Sequence, residues 1–162
     1  MPAGSTYTPI ATTTLGSSAA SYTFSSISGT YTDLILVIAG TLTSSSSVYL
    51  QVNGDTATNY SRTFLQGNGT SATSGRDSSQ NYMALGYLNS TAQGNCIFQL
   101  QNYSNTTTNK TVLCRAGVAD DLTRAMVGLW RSTSAITSIL AAPVSGSFAT
   151  GTSLTLYGIA SA

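Results

Sequence analysis

Histidine and glutamate are absent from this 162-residue chain, and lysine occurs once, at Lys110. Proton transfer near neutral pH would therefore fall to Asp, Tyr, Cys or that single Lys with shifted pKa values. Charged residues make up 7% of the chain, against about 25% in ordinary globular proteins, and the net charge is +1. Polyelectrolyte disorder is excluded by that balance. The six cations (Arg62, Arg76, Lys110, Arg115, Arg124, Arg131) are scattered among five aspartates. Neutralising a run of phosphates needs a patch, so no nucleic-acid partner is expected.

Long apolar runs are missing too. Leu34 to Ala39 is far below the roughly 20 residues a membrane helix needs, so no membrane partner is expected. Met1-Pro2-Ala3-Gly4 has neither a positive n-region nor an apolar h-region, and no secretory signal is expected. Cysteine is limited to Cys96 and Cys114, each inside an apolar, strand-like run. Buried free thiols of a reducing compartment are expected, with a disulfide between neighbouring strands left open.

These absences bear on chemistry. Either cysteine as nucleophile would lack a histidine base, and as zinc ligand would lack partners. Asp120 and Asp121 are adjacent, so in extended chain they point to opposite faces and make a poor carboxylate pair. Asn53, Asp55 and Asn59 could supply oxygens to calcium, but Asn53-Gly54-Asp55 is first a turn sequence. No catalytic residue, metal ligand or cofactor site is expected, and the chain is not expected to be an enzyme.

What fills the polar share is hydroxyl: 25 Ser and 26 Thr. Hydroxyls solvate a sheet face without charge, and Thr adds β-branching that favours extended chain. Such a surface resists self-association less than a charged one.

Strand-like segments follow one another at short intervals. Ile10 to Leu15 is weak, and Ala20 to Ile27 puts Tyr22 and Phe24 on one face. Leu34-Ile35-Leu36-Val37-Ile38 is continuous rather than alternating, as in a central strand covered on both faces by an opposing sheet and by an arm or partner subunit. Ser44 to Ser47 reads as a loop, and Val48, Leu50 and Val52 then alternate up to the Asn53-Gly54-Asp55 turn. Tyr60 to Gln66 is followed by Gly67 to Gln80, read as the largest loop. Tyr82 to Leu88, Asn95 to Asn102, Thr111 to Val118, Ala125 to Trp130, Ile136 to Ala141 and Ser153 to Ile159 resume the pattern, with a short helical turn allowed at Asp120 to Arg124.

Nine or ten strands with no sustained helical spacing predict an all-β fold, an antiparallel two-sheet β-sandwich of jelly-roll type with an extended N-terminal arm. A closed barrel is the main alternative. Residues 1–9, with Pro2 and Pro9, form the expected arm, and residues 10–162 a single domain. Candidate interface residues are Tyr7, Pro9, Tyr49, Trp130 and Arg131. Tyr7 lies in the proline-bounded arm with no evident core of its own. Trp130 suits a core or interface anchor. Tyr49, like Tyr22 and Tyr157, also suits a strand position at the edge of the core.

Four stretches carry a resemblance: Phe24 to Leu34 (FSSISGTYTDL), Val52-Asn53-Gly54-Asp55 through Asn59-Tyr60-Ser61, Gly128 to Thr137 (GLWRSTSAIT) and Leu154 to Ile159 (LTLYGI). From about Ile10 to Ile159 the chain resembles structural proteins of tailed-bacteriophage virions, especially those of phages of cyanobacteria and other aquatic hosts. The resemblance implies a capsid cement or decoration protein, made in the bacterial host cytoplasm. Such a protein sits on the outer surface of the head, binds the major capsid protein and itself, commonly as a homotrimer, and uses its arm across a subunit boundary. The alternative it implies is a tail or head fibre module that binds host glycans through the Gly67 to Gln80 or Asn102 to Asn109 loops. The lack of a coiled-coil or collagen-like shaft favours the first. With so few charges, attachment is expected to depend weakly on salt.

Overall fold

The computed structural model describes residues 6–160. Its regular structure is entirely β: β1 (Tyr7–Thr14), β2 (Tyr22–Phe24), β3 (Asp33–Gly40), β4 (Ser46–Val52), β5 (Tyr60–Gly67), β6 (Ala72–Gln80), β7 (Met83–Leu88), β8 (Gly94–Leu100), β9 (Lys110–Val118), β10 (Leu122–Trp130), β11 (Ile139–Pro143) and β12 (Ser153–Ile159). Eight strands form one sheet in the order β1-β12-β3-β8-β9-β10-β5-β6, and four form the other in the order β2-β11-β4-β7. Every pairing is antiparallel. The chain is a β-sandwich of the jelly-roll kind.

Two-residue alternation decides which side chains enter the sandwich. In β4, Val48, Leu50 and Val52 are fully buried while Tyr49 and Gln51 turn outward. Their counterparts from the large sheet are Leu34, Leu36 and Ile38 of β3, Phe98 of β8 and Leu154 and Leu156 of β12. Each such side chain contributes about 1.5–3 kcal/mol by leaving water. The sheets approach closely at Gly128 of β10, where a Cβ would lie 2.8 Å from Leu85 Cδ1 and Met83 Sδ of β7.

The β4–β5 connection begins as the turn the sequence predicts. Asn53 (φ 53°) and Gly54 (φ 66°) adopt left-handed conformations, and Asp55 N donates to Val52 O at 3.0 Å, a type I′ arrangement that matches strand twist.

Four sequence expectations are corrected. Most of Gly67 to Gln80 is strand β6, paired with β5, and only Asn68 to Ser71 loop out, closed by Asn68 Oδ1, which accepts from the Thr70 and Ser71 amides. No apolar alternation marks β6, because it is an exposed edge strand that adds nothing to the core. Asp120 to Arg124 holds no helical turn: Asp121 N donates to Val118 O at 3.1 Å, and β10 has begun by Leu122. The Ser44 to Ser47 loop is shortened because β4 starts at Ser46. The boundary expected between arm and domain at residue 9 falls inside a strand, since Tyr7, Thr8 and Pro9 pair with Ile159, Gly158 and Tyr157. Backbone pairing to the last strand holds these residues on the sheet. Residues 1–5 of the expected arm lie outside the described residues.

Candidate functional site

The outward face of the large sheet carries apolar side chains that, among the described residues, no second sheet covers. Alternation sends Leu34, Leu36 and Ile38 of β3 inward, and hence Ile35 and Val37 outward. The strand registers then align them with neighbours. One cross-strand row runs Tyr157, Ile35, Gln99, Leu113, Val127, Thr63, and the next runs Thr155, Val37, Ile97, Arg115, Ala125, Leu65. Cross-strand neighbours on one face lie about 5 Å apart. A continuous aliphatic floor results.

That floor is concave. Tyr7 of β1 and Leu65 of β5, six positions apart in the sheet order, border the same hollow of about 740 Å³. Leu65 is 56% exposed, Val127 43% and Leu113 39%. Polar groups in the hollow are few: Gln99, Thr63, Ser74 and the Arg115 guanidinium. Arg115 is exposed, whereas the ion pair formed among the described residues joins Arg62 Nε to Asp77 Oδ2 at 2.6 Å.

The structure separates the predicted interface residues. Tyr7 is exposed on edge strand β1, its ring edge-on to Tyr157 with centroids 6.2 Å apart. Pro9 is exposed beside a bulge in the same strand, where it lacks only an amide that an edge can spare. Tyr49 is half-buried on the outer face of the small sheet, stacked on Tyr82 at 4.4 Å. Trp130 is buried in the core at the end of β10, and Arg131, just beyond it, is exposed with Nη2 donating to Ser61 Oγ at 3.2 Å. Of these residues Tyr7 alone borders the hollow.

Groups with chemical potential elsewhere are engaged internally. Asp55 Oδ2 accepts from Trp130 Nε1 at 2.7 Å and from Asn59 Nδ2 at 3.0 Å, while Oδ1 accepts from Ala57 N. The Asn59 and Trp130 hydrogen bonds hold the Asp55 carboxyl below its usual range. Asn53 Oδ1 accepts from the Thr137 and Ser138 amides, so the side-chain oxygens of Asn53 and Asp55 are taken by internal donors. Cys96 and Cys114 are buried free thiols on neighbouring strands. Burial pushes Cys96 up to about 12 and Cys114 well above its ordinary value, opposite to what a nucleophile needs. Lys110 is buried with Nζ donating to Thr108 O and Thr133 O, and desolvation lowers its pKa. Asp121 accepts from Tyr87 OH and Asn89 Nδ2.

The loop tips named for a sugar site are closed on themselves. Asn105 Oδ1 accepts from the Thr107 and Thr108 amides, and Tyr103 is buried with its hydroxyl donating to Ser28 O.

Sequence reading missed the hollow and the Asp55–Trp130 contact. The outward Ile35 and Val37 were a signal for the first. The second joins residues 75 apart and leaves no local pattern.

No family model matches the chain, and no curated protein matches it. Solved structures similar to it include exo-inulinase from Aspergillus awamori, at 14% identity and a TM-score of 0.45, covering 94% of this chain and 29% of that one. An alginate lyase, Aly36B, is similar at 8% identity and a TM-score of 0.35, with 91% and 80% covered. Domains LG4-5 of the mouse laminin α1 chain are similar at 15% identity and a TM-score of 0.35, with 90% and 40% covered. The chain spans less than a third of the inulinase's length.

Proposed function

We propose that this chain is a non-enzymatic virion structural protein, a capsid cement or decoration protein that attaches to the head lattice through the concave face of its eight-stranded sheet. The observation that carries the docking reading is the aliphatic floor on which Leu113, Val127 and Leu65 are exposed beside the half-buried Val37 and Ile97 and the buried Ile35. An exposed apolar hollow edged by polar side chains is a candidate interaction site. Among the described residues no second sheet lies over the outward side of β3, where Val37 is half-buried, and docking supplies further cover there. The choice of a head as the docking partner rests on the sequence resemblance to virion proteins. In a homotrimer, Tyr7 at the open edge of β1 is the residue through which copies would meet.

Protein fits this floor better than sugar, the partner of the fibre alternative. Glycan recognition uses aromatic faces with convergent polar groups, whereas this lining is mostly aliphatic, with Tyr7 and Phe64 as its rings and Gln99, Thr63, Ser74 and Arg115 as its polar groups.

The test is reconstitution. Purified heads stripped of this protein are mixed with recombinant chain, and bound protein is counted after sedimentation. Leu113→Asp with Val127→Asp places two charges on the floor and is expected to weaken binding at least about 30-fold, the scale of losing a central interface anchor. Unchanged binding by this folded variant would overturn the reading.

A further inference from the structure

We infer that the occupant of the concave face is a segment of a partner protein that lays aliphatic side chains on the floor and presents carboxylates to its rim. This rests on the docking reading above and adds the chemistry of the partner.

The argument is the uneven placement of a very small number of charges. On the outward side of the large sheet, Arg115 stands between Ile97 and Ala125, and Arg76 is aligned with Thr63 at the β6 edge. Arg131 reaches Ser61 beyond the end of β10. The carboxylate on that side, Asp33, sits at a far corner, where Oδ1 accepts from Asn102 N at 2.7 Å. Three guanidiniums stand against the one carboxylate that the strand registers put on this side.

Arg115 in the hollow, with Arg76 and Arg131 farther out on the same side, selects by charge complementarity. Face-to-face pairing with a second copy would bring like guanidiniums together. Nucleic acid would find one cation, Arg115, in the lining to neutralise its phosphates, and a floor that is mostly aliphatic. An apolar segment bearing Asp or Glu satisfies both parts. The floor then supplies most of the affinity, and each exposed arginine–carboxylate pair a factor of about two to five.

The test uses the full chain and a random-peptide display library, with the Val127→Asp variant used to remove peptides that bind elsewhere. The expected peptides combine Leu, Ile or Val with Asp or Glu. Their affinity falls about two- to fivefold in Arg115→Gln and further in Arg115→Glu, and exchanging a peptide carboxylate for Lys restores binding to Arg115→Glu. Peptides that are basic, or whose affinity ignores both Arg115 and Arg76, would overturn the inference, as would the recovery of no face-dependent peptide. The two readings fail separately. Heads that reject Leu113→Asp with Val127→Asp but bind Arg115→Glu as tightly as the native chain leave docking standing and remove the acidic partner.

Discussion

The two faces of the eight-stranded sheet are made of similar side chains and meet different surroundings. The inner row Leu156, Leu36, Phe98, Cys114, Met126 is closed by the small sheet and almost inaccessible to water. The outer row Tyr157, Ile35, Gln99, Leu113, Val127 is one residue out of step along the same strands and grades from the buried Ile35 to the exposed Leu113 and Val127. The difference teaches that hydrophobicity on a strand has two uses here. Inside it holds the sandwich together, and outside it is available to a partner.

The largest expected effect separates the faces directly. Phe98→Ala opens a cavity in the inner row and should cost about 3–5 kcal/mol, read as a lower midpoint in denaturant unfolding. Val127→Asp on the outer row should shift that midpoint by less than about 1 kcal/mol while weakening docking. If the outer substitution destabilises as much as the inner one, the outer face is part of the folding core and the comparison collapses.

Next in size is Gly128→Ala. The added methyl meets Leu85 and Met83 at 2.8 Å, and overpacking should cost about 1–3 kcal/mol by thermal unfolding.

Of similar or smaller size is Asp55→Ala, which leaves the buried Trp130 indole N–H without its acceptor and should cost about 1–2 kcal/mol. The pH dependence has a definite sign. Because the folded-state pKa of Asp55 lies below its unfolded value, its contribution is present above the unfolded pKa and is lost as pH falls through the folded pKa. Unfolding titrations of native chain and Asp55→Ala should therefore converge in acid and diverge towards neutrality.

The smallest effect is expected from removing residues 2–6. That truncation spares the β1 pairing to β12, so the unfolding midpoint should not move. A fall in oligomer size or head binding would then report on the arm alone. Cutting to residue 9 would confound this by removing Tyr7, Thr8 and Pro9 from the sheet.

Much of the architecture was legible in the sequence. Alternation in β4 and β9, the continuous run of β3 and the Asn53-Gly54 turn point to a two-sheet sandwich, with a closed barrel as the alternative that the observed sheet order removes. Strand β6 was not legible, because an exposed edge strand such as Ala72 to Gln80 needs no apolar residues and reads as loop. The hollow was half legible. Ile35 and Val37 announce a second apolar face, but its extent depends on the registers that bring Ile97, Leu113 and Val127 alongside. Those registers set residues as far apart as Thr155 and Leu65 on one surface. The placement of charge on that surface has the same origin: Arg76, Arg115 and Arg131 look scattered along the chain and share one side of the fold.

Thiol labelling tests the central claim most directly. Cys96 and Cys114 are buried with raised pKa values, so a maleimide should leave the native chain unmodified. Val127→Cys places one reactive thiol on the concave floor, and Thr23→Cys places one on the exposed outer face of the small sheet. Both should label readily in the free chain. On the assembled particle, Val127→Cys should be protected while Thr23→Cys stays reactive. Equal labelling of Val127→Cys in free and assembled protein would contradict the claim that the concave face is where this chain docks.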